Sequence, residues 1–183
     1  LTPPTSSPTL IPTPSPTTIP SLPFSQTVSV SVLTGITAIG SNNGISTNSL
    51  FNSPWALSFS PNGTFALVAD TYNHQIRKLI ISTAQVSLLA GSPSLAAGNV
   101  NGIGSNAKFY NPWDIAISSD GSYCLVADYN NHQIKKIIIS TQEVSSFAGD
   151  TSKNTGTTNG IGSNAQFYGP IGIGISPDGT YSL

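Results

Sequence analysis

Two histidines, seven carboxylates, six Lys/Arg cations and one cysteine are all that this 183-residue chain offers for acid–base, nucleophilic or metal chemistry. His74 and His132 close the same string, as Asp70, Asn73, His74 and again as Asp128, Asn131, His132. Two imidazoles beside two carboxylates would make an acid–base pair or part of a metal site if they converged. A metal needs three or more ligands, however, and one His per copy at an equivalent place reads instead as a loop buttress. An Asp at a strand end accepts backbone N–H groups across the turn that follows, so Asp70, Asn73, Asp128 and Asn131 are expected to be structural. The residues show no Ser/His/Asp or Cys/His arrangement, so no catalytic residue and no metal ligand is assigned, and no cofactor is evident.

Three further features carry possible chemistry. Trp55 and Trp113 are an aromatic stacking surface for a sugar or peptide, or packing near an axis; the third copy has Ile171 there. The segments Asn101-Gly-Ile-Gly-Ser-Asn and Asn159-Gly-Ile-Gly-Ser-Asn are Gly-rich, but no helix follows to complete a phosphate cradle. Asn62-Gly63-Thr64 is the sole acceptor sequence for N-glycosylation. Cys124, lying between Tyr123 and Leu125, is a small buried residue in expectation, and it has no second Cys to pair with.

What positions these residues is a repeat. Phe51, Phe109 and Phe167 stand 58 residues apart, as do Pro54, Pro112 and Pro170, and Gly63, Gly121 and Gly179. Residues 51–91 and 109–149 align without a gap and share 22 of 41 positions, and a third copy begins at 167. A fixed period of this size marks a repeat architecture whose units bury their faces against one another. In the second copy, four strands are expected at Trp113–Ser118, Tyr123–Ala127, Gln133–Ile139 and Val144–Ala148. Asn-Gly or Asp-Gly at 62–63, 120–121 and 178–179 supplies the hairpin turn between the first two. The third strand has apolar residues at both parities, which suits a sheet covered on both faces. The fold class is therefore all-β: a β-propeller of four-stranded antiparallel blades at 51–91, 109–149 and, truncated, 167–183.

Two segments precede the blades. Residues 1–25 are a Pro/Ser/Thr-rich stalk or linker, with eight of the chain's fourteen prolines in residues 1–23. Such a composition is disordered or polyproline-II-like, and in Ser/Thr-rich form it is that of an O-glycosylated stalk at a cell surface. The propeller part spans 26–183. It opens on Thr27–Gly35, an alternating stretch that resembles the last strand of each copy and is expected to latch a ring by completing a unit supplied from elsewhere. The net charge is −1 and no charged residue precedes Asp70, a balance that opposes nucleic-acid binding. No apolar run approaches the ~20 residues of a membrane span.

The strings ADTYNHQIRKL (Ala69–Leu79) and ADYNNHQIKKI (Ala127–Ile137), with Phe-x-x-Pro-Trp before them and Val-Ser-x-x-Ala-Gly behind, resemble NHL repeats. Gln75 and Gln133 stand where the family's third letter would be. The resemblance implies a propeller, commonly six-bladed and closed by an N-terminal strand, so this chain is expected to be a fragment whose remaining blades lie elsewhere in a longer protein. Two functions follow, the first from the spacer, the repeat fidelity and the absence of a convergent reactive set, the second implied by the resemblance. One is a non-catalytic binding or scaffold module presenting a loop-rich face, with Trp55, Trp113, Tyr72, His74, Asn130, His132, Asn101 and Asn159 as candidate contacts for a protein, peptide or glycan. The other is part of a metal-dependent lyase or hydrolase whose ligands lie on other blades. RNA binding, known in some relatives, finds only the pairs Arg77-Lys78 and Lys135-Lys136, whose members point to opposite faces of a strand.

Overall fold

The computed structural model describes residues 30–152 and 154–180. The chain divides into two units, Leu1–Ser31 and Val32–Leu183. The stalk at 1–25 and the first residues of the expected latch lie outside the described residues. Everything below concerns the second unit.

Two antiparallel sheets carry the fold. The first contains β1 (Gly44–Ile45), β2 (Pro54–Phe59), β3 (Phe65–Asp70), β4 (Gln75–Ile80) and β5 (Gln85–Ala90), in the order β1-β5-β4-β3-β2. The second repeats it with β6 (Gly102–Ile103), β7 (Pro112–Ile117), β8 (Tyr123–Asp128), β9 (Gln133–Ile138) and β10 (Glu143–Ala148), in the order β6-β10-β9-β8-β7. Each is a four-stranded meander, a propeller blade, with a two-residue strand added at its outer edge. The four expected strands are present, and the fifth is an addition to them. The Gly-rich lead into each blade does more than turn: it lies along the outer strand and pairs Gly44 with Val86 and Gly102 with Val144. A short strand of this kind satisfies some of the backbone groups that an open edge would leave unpaired. Asn43-Gly44-Ile45 is a third copy of the lead, legible in the sequence only once the other two are aligned with it.

The hairpin turns also differ from a simple Asn-Gly geometry. Only the glycines are left-handed, Gly63, Gly121 and Gly179 having φ of 68, 72 and 71°. The residue before each keeps a negative φ and works through its side chain instead, as described below. Gly91 and Gly149 close the blades at φ of 116 and 104°, and a Cβ there would stand 2.8 and 2.7 Å from the carbonyl oxygens of His74 and His132. That close approach explains why the fourth strand ends on Ala-Gly.

The core lies between blades. Leu67, Ala69, Ile76 and Leu89 of the first blade cluster with Phe109, Ile115, Val126, Ile137 and Val144 of the second. On the far face of the second blade, Leu125, Ala127 and Ile134 receive Phe167, Ile173 and Ile175 of the third copy. Cys124 is wholly buried in the first cluster, and burial pushes its thiol well above the usual range. Of the expected latch, residues 32–35 form no strand in the structure, and Val32 is exposed. A strand needs a ladder of partners for its N–H and C=O groups, and in this stretch only the Gly35 N–H makes such a bond among the described residues, to the Ser46 carbonyl at 3.2 Å. No helix of the described residues is long and apolar enough to cross a membrane.

Candidate functional site

The turn after β3 and the start of β2 lie at one end of the blade, because Pro54 pairs with Asp70 and Pro112 with Asp128. At this end the ladder skips a residue in both blades: Ala56 pairs next with Ala69, and Asp114 with Ala127. The skipped residues are Trp55 and Trp113. A bulge turns the extra side chain away from the regular alternation of the strand, so both indoles leave the inter-blade core. Their rings stand 4.8 Å apart, and Trp113 stacks in turn on Tyr129 at 4.7 Å and 22°. Trp55 is 58% exposed, whereas Trp113 and Tyr129 are half-buried. The result is an aromatic tier running from one blade to the next. Tyr129 ends it, leaning over Gly169, where a Cβ would come within 2.6 Å of its ring.

The sequence pattern pointed to the tryptophans but concealed the bulge that turns them out of the strand's alternation, and it passed over Tyr129. Its counterpart in the first blade is Thr71, whose hydroxyl donates to the Pro112 carbonyl at 2.8 Å and so ties the blades together. Tyr72 is exposed in the turn after β3, with Asn130 at the matching place in the second blade, half-buried.

His74 and His132 bind neighbouring backbone. Each adopts a left-handed conformation, φ 56 and 55°, and each accepts through Nδ1 an N–H from the next copy, Asn111 at 3.1 Å and Gly169 at 3.0 Å. An acceptor Nδ1 requires the proton on Nε2 in a neutral ring. Burial holds the His74 imidazole below its usual range, against an opposing backbone contact with Thr71. The structure thus uses these histidines as blade-to-blade clasps.

The carboxylate of Asp70 accepts the backbone N–H of Asn52 at 2.7 Å, the amide of Asn73 at 2.8 Å and the guanidinium of Arg77 at 2.9 Å. The bond spans to the residue ahead of β2 rather than across the adjoining turn. Arg77 is completely buried and also donates to the carbonyls of Leu50 and Asn42 and to Asn43 Oδ1. Burial pushes the Asp70 carboxyl upward, while these donors pull the other way. The second blade repeats the arrangement. Asp128 accepts from Tyr110 N–H and Asn131, and buried Lys135 donates to Asn101 Oδ1 at 3.1 Å. The cation beneath the turn went unrecognised in the sequence because Arg77-Lys78 looks like any strand-surface pair. The signal was its recurrence as Lys135-Lys136.

Asn101 is therefore engaged at the outer edge of its sheet, the opposite edge from Trp113, and Asn159 occupies the corresponding place in the third copy, exposed. The structure does not bring either to the aromatic tier. Gln75 and Gln133 hold the connections that leave β5 and β10, donating to the Ser92 and Asp150 carbonyls at 2.8 Å each. Of the 92–108 connection, Gly102 to Ala107 is taken up by the outer strand and its 3-10 turn, and residues 92–100 form the loop before it, anchored where Val100 pairs with Lys108 and the Gly98 N–H bonds the Phe109 carbonyl. Among the described residues no three His, Cys, Asp or Glu side chains come together as a metal-binding group.

The comparisons with known proteins follow this geometry. The NHL repeat family model matches residues 109–137, the stretch from the clasped Phe109 to the buried Ile137. NHL repeat-containing protein 2 of Bos taurus is 31% identical over 117 residues, covering 64% of this chain and 16% of that protein. The protein SUPPRESSOR OF QUENCHING 1, chloroplastic, of Arabidopsis thaliana is 32% identical over 163 residues, 81% of this chain and 15% of that protein. This chain thus spans less than a fifth of the length of either relative. Among solved structures, an auxiliary nutrient binding protein from Bacteroides thetaiotaomicron superposes with a TM-score of 0.59 at 22% identity, covering 67% of this chain and 32% of that one, a likeness of fold. The chain therefore carries an NHL repeat at residues 109–137, within a fold of β-propeller blades.

Proposed function

We propose that this chain is part of a non-catalytic binding or scaffold module at a cell surface or outside the cell. Its partner is a protein, peptide or glycan met at the end of the blades that bears Trp55, Trp113, Tyr129 and Tyr72, with residues 92–100 beside them. One observation carries the reading: the two bulged tryptophans form a continuous, part-exposed aromatic tier across two blades, whereas the repeated Asp, Asn and His side chains are spent on holding the fold. Aromatic surface of this kind recurs among the residues that dominate recognition energies. In this reading the remaining blades of the full-length protein complete the ring, the 27–35 segment latches it and the 1–25 stretch holds it away from its attachment. The test is binding of the full-length protein to arrayed glycans and matrix peptides. Trp55→Ala should weaken the selected ligand roughly tenfold, a loss of about 1.4 kcal/mol, and replacing residues 92–100 should alter selectivity. A ligand bound equally well by both variants would place recognition elsewhere.

A further inference from the structure

The hairpin turn between the first two strands of each blade occurs three times with one hydrogen-bond scheme. Its third residue is Asn62 in the first blade, Asp120 in the second and Asp178 in the third. Each accepts the hydroxyl of the residue two before it, Ser60 at 2.9 Å, Ser118 at 2.6 Å and Ser176 at 2.6 Å. Each also accepts the backbone N–H of the residue two after it, from Thr64 at 3.1 Å, Ser122 at 3.0 Å and Thr180 at 3.1 Å. The hydroxyls of those three residues donate as well, at 2.8, 2.8 and 2.9 Å. One acceptor oxygen satisfies the whole scheme, so a carboxylate and an amide serve the turn equally. Only the amide has a nitrogen to spare. Asn62 Nδ2 makes no hydrogen bond among the described residues, its side chain is exposed, and a Cβ built on Gly63 meets nothing within 4 Å.

We infer that Asn62 is the acceptor of an N-linked glycan, attached at the end of the blade opposite the aromatic tier. The inference rests on the surface or extracellular placement proposed above, since transfer needs a lumenal transferase and a lipid-pyrophosphate-linked oligosaccharide. In that transfer Nδ2 bonds to the anomeric carbon of the first sugar, that carbon's bond to the pyrophosphate oxygen breaks, Nδ2 gives up one proton and the lipid pyrophosphate leaves. Asn62-Gly63-Thr64 supplies the acceptor sequence, and the Thr64 hydroxyl is already on the amide oxygen. The placement follows from the meander. β2 starts at Pro54 beside Asp70 and runs to Phe59, so the Ser60–Gly63 turn and the Trp55 end are separated by the full strand. A bulky hydrated glycan at Asn62 leaves the tier clear.

The experiment uses the full-length protein secreted from a eukaryotic host and digested with peptide-N-glycosidase in ¹⁸O-water. The expected result is residue 62 recovered as Asp carrying ¹⁸O, with the mass increment absent from Asn62→Asp and an unchanged melting temperature in that variant, because Asp is what the other two turns use. Asp120→Asn, which completes the same acceptor sequence with Ser122, should gain a second glycan. Secreted, folded protein with residue 62 unmodified overturns the site but leaves the placement standing. Protein retained in the cytosol without glycan overturns the placement and the modification with it.

Discussion

His74 illustrates how a residue that looks reactive is spent on architecture. Its Nδ1 accepts the Asn111 N–H across the blade boundary, and a protonated ring cannot accept there. Because burial lowers its proton affinity in the folded chain, the unfolded chain takes up the proton first. The stability that neutral His74 contributes is therefore present in full above about pH 6.5 and declines as the pH falls below it. Melting temperatures between pH 8 and 5 should show this decline, and His74→Asn, which tolerates the left-handed backbone, should flatten it. Asp70 and Arg77 make the stronger case. Both are fully buried, so Arg77→Met leaves a buried carboxylate without its cation and should cost about 3–5 kcal/mol in urea unfolding. Arg77→Lys should cost much less, since Lys135 already fills the equivalent place. Asp120, exposed, is held near a pKa of about 2 by the Ser118 hydroxyl and by the N–H and hydroxyl of Ser122. Its small contribution is present above the ordinary carboxylate range and fades as the pH drops toward 2.

At the scale of the element, the blade is a meander whose ends are specified by close approaches. Gly149→Ala would place a Cβ 2.7 Å from the His132 carbonyl at a φ of 104°, so backbone must shift. A loss above about 1 kcal/mol is expected, read as a lowered melting temperature, and Gly63→Ala, where a Cβ meets nothing within 4 Å, should lose less. Strand positions were legible to within about a residue because the period-2 pattern, the Gly turns and the 58-residue repeat agree with one another. The outer two-residue strands were not, since Gly-Ile-Gly has no alternation to display. Nor was the bulge at Trp55 and Trp113, because a skipped pairing leaves no mark on residue type.

For the molecule as a whole, the unit of stability is the contact between blades. Leu57 and Phe59 on the first blade are 56% and 60% exposed, while the equivalent Ile115 of the second is buried against the blade before it. The first blade thus presents an apolar face of the kind that receives another blade. The isolated chain is expected to self-associate through this face, and Leu57→Ser with Phe59→Ser should shift its sedimentation toward the monomer. In a ring completed by further blades the same pair of changes should destabilise instead.

The repeat, the four-stranded meander and the turn residues were determined by the sequence alone, because each is written in local pattern and copied at a fixed spacing. Tertiary structure decided what those residues touch. Which N–H the Asp70 carboxylate accepts, which blade His74 clasps and which way the tryptophans face all depend on partners far away in the chain, and residue type carries no record of a distant partner. That is why Asp, Asn and His, the side chains best suited to chemistry, turn out to hold the fold, while the aromatic tier stays part-exposed at its Trp55 end.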